Sequence, residues 1–482
     1  MSTRAKGQTS ASGPAVDPAL IERLADRLGE ALRGARATGS AVIASVTARL
    51  DGAVDPTEVI LASRRVGDRW FVIENVDREE AAVATLGCAQ ALQATGKQRF
   101  DELAARWRDL ASQAVADPPL GPPGSGLGAF GGFAFAADGG ASPRWQGFAP
   151  GSMTVPELSL ARRGEETWIT VNASVCADDL AQELLTRVAA RLSELRRARL
   201  PLLDPAPAGA YSVRSPIPPS HYEEAVRRAV ERIRAGELEK VVLAREVEVD
   251  APVAHDPAAI LGVLRAAYPS CFVYAVGTGE AAFIGASPEL LVRREGQRAS
   301  TVSLAGSTRR SADPSVDQRF GEQLLNSAKD RVENEIVARR IMRALAPHSV
   351  WVTAAPEPVV VKVANIQHLA APIRAQLAAP LSAIDLAGIL HPTPAVGGEP
   401  DDVCQRLIPA LEGFDRGWYA GPLGWTDSTG DGEFCVALRC ALLRGRHAWC
   451  YAGCGIVADS DPAAELIETD IKFGAMLPLL SG

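Results

Sequence analysis

The segment "PALIERLADRLGEALRGARA" (18–37) alternates apolar and charged positions at the helical period and predicts an amphipathic helix. "AVIASVTARL" and "RWFVIENV" alternate with a period of two and predict strands. "TVPELSLARRG" and "TWITVNASV" predict a hairpin, followed by a helix over 178–198. Beyond a proline-rich stretch, "LPLLDPAPAGAYSVRSPIPPS", the pattern predicts a helix on "HYEEAVRRAVERIRAGE", with Ser220 and Glu223 as its capping box. "KVVLAREVEV" alternates as a strand, 317–345 reads as one long helix, and "EFCVALRCALL" and "HAWCYAGCGIV" read as paired strands. Strands arrive in hairpins rather than in βαβ units. The predicted class is therefore α+β with large antiparallel sheets.

The proline-rich stretch is the best boundary, near residue 205, separating a part at 19–205 from one at 206–482. Residues 1–18 read as a disordered leader. The Gly/Pro-rich 121–143 carries an apolar segment and is read as a strand with flexible flanks. We find no internal repeat.

Composition narrows the function classes. Of 482 residues, 47% are hydrophobic and 22% charged, a globular balance, with a net charge of −8. There is no basic run and no basic–aromatic interleaving, so no nucleic acid partner is expected. No apolar stretch approaches the roughly 18 residues of a membrane span, and the N-terminus lacks a signal-peptide core, so no membrane is expected and the location expected is cytoplasmic. The eight cysteines (88, 176, 271, 404, 435, 440, 450 and 454) are expected to be reduced and buried, and their spacing lacks a zinc knuckle.

Several charges sit where burial is costly. Asp461 followed by Pro462 starts a helix on which Glu465, Glu468 and Lys472 fall within an arc of roughly 60°. Leu466, Ile467 and Ile471 point the other way, able to hold that helix on a core. Taken alone, these residues read more readily as a solvated face with an ordinary Glu468–Lys472 pair, because charged helix faces are usually just wet. Arg439 shares a strand face with Cys435, Ala437, Ala441 and Leu443, where a guanidinium needs an anion from the protein or a ligand. Glu333 lies at the edge of an apolar helix stripe, with Lys329 one turn back as an ordinary partner. Lys240 opens a strand just after Gly236, and Glu289 sits in the proline-bent "GASPELLV". No catalytic triad, P-loop or dinucleotide fingerprint stands out. Scattered Lys, Glu, Arg and His with glycine approaches fit acid–base chemistry on a small anionic substrate. Three helical glutamates fit a hard cation such as Mg²⁺.

Seven blocks then occur in an order that resembles the chorismate-utilising enzymes: "EKVVLAREV", "GASPELLVRR", "SLAGSTRR", "SAKDRVENEIV", "HPTPAVGGEP", "FDRGWYAGPLGW", and "AGCGIV" followed by the Glu465–Glu468–Lys472 helix. The likeness is dense over 212–478 and extends weakly to "FGGFAFA" and "WQGFAP". The family includes isochorismate, salicylate, anthranilate and aminodeoxychorismate synthases. The resemblance implies a single large domain of two packed antiparallel sheets with outer helices. The boundary at 205 would then divide one intertwined domain.

The resemblance also implies roles. Lys240 matches the general base that activates water at C2 of chorismate, and Glu289 the acid that protonates the departing C4 hydroxyl. Glu333 and Glu468, with Glu465 beside them, match the Mg²⁺ site. Arg439, Tyr419 and the backbone at Gly453 and Gly455 match the site for the enolpyruvyl carboxylate, and His368, Ser307 and Lys472 match further substrate positions. A lysine base must lose its proton near neutrality and a glutamate acid must hold one. Members that add ammonia carry glutamine where this chain has Lys240. Members that go on to expel pyruvate carry threonine at the position of Ala395. Both positions resemble an isochorismate synthase, with a salicylate synthase or a catalytically silent chorismate-binding protein as the alternatives. The resemblance implies a monomer or weak homodimer. Ser307 stands where threonine is common, with the hydroxyl kept.

Overall fold

The structure, a computed structural model, describes residues 13–14, 17–204, 207–363 and 366–481. Among these, the strands form one thirteen-stranded and one ten-stranded sheet. Every pairing is antiparallel except the short parallel contact of Val42–Arg49 with Val115–Ala116. The α+β class with two antiparallel sheets holds.

Both sheets are shared by the two parts of the protein. In the first, Phe272–Thr278 pairs with Trp70–Asn75; in the second, Pro422–Asp427 pairs with Gly128–Phe133. Strands that follow the proline-rich stretch lie on one side of each junction, and strands that precede it lie on the other. Residues 205–206, at the predicted boundary, lie outside the described residues, as does most of the predicted leader. Asp17 and Pro18, inside that leader, cap and open the helix Pro18–Thr38.

Strand alternation is present, but it does not separate core from water. Phe71 and Ile73 face the cluster between the sheets, whereas Trp70 and Val72 face a second apolar cluster outside the first sheet. Helices Pro18–Thr38 and Pro257–Ala267 cover that outer face. A strand covered on both faces buries both sets of side chains, each large one stabilising by about 1.5–3 kcal/mol.

Four local expectations are corrected. The predicted 317–345 helix is two helices, Pro314–Asn326 and Ala328–Leu345, because Ser327 is extended and its side chain accepts from Asp330 N as an N-cap. The helix Pro219–Arg234 starts one residue before Ser220 and has no side-chain cap, since Pro219 takes the first helical position. Cys88 and Cys176 are exposed, not buried.

The fourth correction matters most for function. "EFCVALRCALL" is not one strand. Gly432–Val436 belongs to the second sheet and Cys440–Arg444 to the first, and only the latter pairs with His447–Ile456. Arg439 therefore sits on a crossover between sheets, at φ 48°, and not on a strand face.

Candidate functional site

Two crossovers meet at one cleft. Ala281–Ser287 of the first sheet leads through Pro288 and Glu289 into Leu290–Glu295 of the second, and Val436 N donates to Glu289 O at 3.0 Å. The Val436-to-Cys440 crossover runs beside it, with Ala286 N donating to Arg439 O at 3.1 Å. Backbone that leaves a sheet points side chains into the gap between layers rather than onto a face. Glu289 and Arg439 thus reach a common cleft.

Its other walls come from four elements. Gly306 takes a left-handed turn (φ 79°) in a bulge on Arg298–Arg309, which carries Ser307 beside the cleft. His368 lies opposite on Ile366–Leu377. Tyr419 is buried and stacks on Tyr451 at 5.3 Å. Ala395 and Val396 line the cleft from the loop after Ala383–Leu390. The helix Pro462–Phe473 contributes Glu465, Glu468 and Lys472.

Of the three apolar residues expected to hold that helix on a core, Leu466 and Ile471 pack against the two apolar clusters and Ile467 is exposed, while the fully buried positions are Glu465, Thr469 and Phe473. The carboxylates face inward because each meets a lysine. Lys329 Nζ lies 2.9 Å from Glu465 Oε1, and Lys472 Nζ 2.7 Å from Glu468 Oε1. Ser307 Oγ donates to Glu468 Oε1 at 2.8 Å, and Lys472 also donates to Gly453 O at 2.8 Å. Burial alone would raise Glu468, yet Lys472, Ser307 and Lys329 together hold its carboxyl down at about 2.

The third glutamate is placed apart from these two. Glu333 meets Lys240 Nζ at 2.9 Å rather than Lys329. Among the described residues, this ion pair is the contact that answers the buried Nζ. Lys240 has no exposed surface and lies behind Glu333, not on the cleft wall. A Cβ at Gly455 would strike both Glu333 Oε1 and Lys240 Cε, so glycine is required here for the pair to fit.

Electrostatics separates the acid from the other carboxylates. Burial pushes Glu289 up to about 8, against the lowering pull of Lys240, Arg439 and Lys472. Its carboxyl is therefore largely protonated near neutrality. His368 is driven down to about 3 by burial and then by Arg439 and Lys472, so its ring is neutral. Arg439 lies 3.3 Å from His368 Nε2, which must accept and leaves the proton on Nδ1.

Three ligand atoms, from Cys454, Glu465 and Glu468, lie within 4.8 Å of one another. Burial pushes the Cys454 thiol well up and it donates to Glu465 O, so it stays neutral. Hard-cation ligands there are the two carboxylates, with Glu333 in the same cleft.

The sequence reading missed Lys329 as a site residue and also missed a buried pair, Glu412–Arg416. Arg416 donates to Val396 O and Val242 O, both at 2.9 Å, while Glu412 accepts from Ala244 N. The four-residue spacing was the available signal. A larger cleft, about 1040 Å³, lies near Glu74 and Glu433. It holds none of the predicted site residues, and Arg78 and Arg293 both pair with its Glu433.

The family model described as chorismate binding enzyme matches residues 30–481. The chain belongs to the chorismate-binding enzymes. Within that family it is 37% identical over 429 residues to the salicylate biosynthesis isochorismate synthase of Pseudomonas aeruginosa, covering 89% of each protein. It is 32% identical over 461 residues to the isochorismate synthase MenF of Bacillus subtilis, covering 94% of this chain and 96% of that one. Among solved structures, the menaquinone-specific isochorismate synthase MenF of Escherichia coli matches with a TM-score of 0.75 at 25% identity, over 95% of this chain and 100% of that one. Among the described residues, no helix is long and apolar enough to cross a membrane.

Proposed function

We propose that the protein is an isochorismate synthase, an isomerase that converts chorismate to isochorismate. The observation that carries this reading is Glu289, a fully buried carboxyl held up at about 8 on a cleft that also presents Arg439, Tyr419 and a set of glutamates. An acid that keeps its proton at neutral pH suits expulsion of a hydroxyl. Glu289 gives its proton to the C4 oxygen, which leaves as water. Lys240 takes a proton from the water that attacks C2. One water adds and one departs, so the product is an isomer.

Arg439, aimed by neutral His368, suits the enolpyruvyl carboxylate. The clamp of Arg416 on Val242 O and Val396 O ties the Lys240 strand to the loop carrying Ala395, which fixes the ring between them. Lys240 reaches the water only when Glu333 swings from it toward the cleft. Glu333, Glu465 and Glu468 would hold Mg²⁺, and their oxygen donors and shared cleft fit it. When bound, that ion neutralises the charge of the substrate's ring carboxylate. The relatives' names include menaquinone-specific, salicylate and 2,3-dihydroxybenzoate-specific enzymes, and either menaquinone biosynthesis or the biosynthesis of a catechol or salicylate siderophore would consume the product.

Product analysis tests the reading. Purified protein with chorismate and Mg²⁺, against an EDTA control, is expected to yield isochorismate, with no pyruvate. Salicylate with pyruvate would show that Ala395 does not stop the reaction at isochorismate. Chorismate bound without turnover would leave only a binding protein.

A further inference from the structure

Resting on the reading of these glutamates as a cation site, we propose that Lys329 is the site's built-in counter-cation. Its ammonium neutralises Glu465 while no divalent ion is present and gives way when one enters.

Three observations carry this. First, Lys329 lies at the second position of helix Ala328–Leu345, next to the cap at Ser327. Cations are disfavoured at the positive end of a helix, so the helix itself does not place an ammonium there. What holds it is Glu465, at 2.9 Å as both ion pair and hydrogen bond. Second, Glu465 is 2% exposed and shares the tight ligand group with Glu468. Two carboxylates so close and so buried require positive charge from somewhere. Third, the three lysines that neutralise the three glutamates differ in freedom. The side chains of Lys240 and Lys472 are 0% and 14% exposed, but that of Lys329 is 35% exposed. Only Lys329 can therefore retract into water at small desolvation cost.

The test is metal binding by the full-length protein without chorismate, using Mn²⁺ by electron paramagnetic resonance and Mg²⁺ by calorimetry. Lys329→Met is expected to bind either ion about five- to tenfold more tightly, because the internal competitor is gone. Lys329→Arg, which keeps the charge, is expected to bind much as the wild type does. Equal or weaker binding by Lys329→Met, with wild-type binding intact, overturns the proposal alone. No binding by either protein overturns the cation-site reading and the proposal with it. Far-ultraviolet circular dichroism checks each fold, and Lys329→Gln replaces the methionine variant if that does not fold.

Discussion

Two helices of similar amphipathic appearance behave in opposite ways. Pro18–Thr38 buries Leu20, Leu24, Leu28, Ala31 and Ala35 and leaves most of its charges at the surface, two of its arginines pairing with Asp117. Pro462–Phe473 buries Glu465, Thr469 and Phe473 and leaves Ile467 60% exposed. The first packs on a sheet, where apolar area removed from water supplies the free energy. The second borders a cleft lined with lysines, where paired charge holds the inward carboxylates while Leu466, Ile471 and Phe473 keep the helix on the apolar clusters. Periodicity reports which residues share a face. What lies against that face decides whether it is core or site.

Substitutions in the two regions should separate these roles. The largest effect is expected at the site: Lys240→Ala should lower turnover by about 10²–10⁴-fold, the usual worth of a positioned base, with the melting curve showing a folded protein. A loss under tenfold would remove Lys240 from the chemistry. In the scaffold helix, Leu24→Ala should cost about 2–5 kcal/mol in denaturant unfolding, with turnover per folded molecule unchanged. A stability loss without that selectivity would mean the two helices are coupled.

A pH series sharpens the contrast further. Glu289 titrates at about 8 when folded, above its ordinary value of 4.5. Between those values the native state holds a proton that the unfolded state has released. Its contribution to stability is therefore full below about 4.5 and is lost as pH rises through about 8. Wild-type melting temperature should fall over that window, and Glu289→Gln should flatten the fall. Turnover should be halved near pH 8, as the acid form is lost. A pH-independent difference between the two proteins would count against a raised carboxyl. The smallest effect is expected at Ile467→Gln, within about 0.5 kcal/mol of wild type, since the side chain is in water. A loss of 2 kcal/mol or more (about the value for a buried Ile) would mean that this face of the helix is covered.

Much of the candidate site was legible before any fold was known. Lys240, Glu289, Glu333, Glu465 and Glu468 stood out because charge next to apolar text is costly, and ordered motifs gave them roles. Less was legible about Arg439. Its strand was continuous in pattern, yet the backbone switches sheets there, and apolar residues on both sides of the switch hide it. The Lys329–Glu465 pair was hidden for another reason. The two residues lie 136 positions apart, and the local partner, Glu333, was taken instead by Lys240.

By itself the sequence determined some of the helices and strands, the α+β class, and which side chains were too costly to place without a task. Those follow from local periodicity and from desolvation, which act residue by residue. Tertiary structure decided which strands join which sheet, that Glu289 and Arg439 meet on adjoining crossovers, and which lysine answers which glutamate. Such choices depend on contacts between segments far apart in sequence, and local pattern does not encode them.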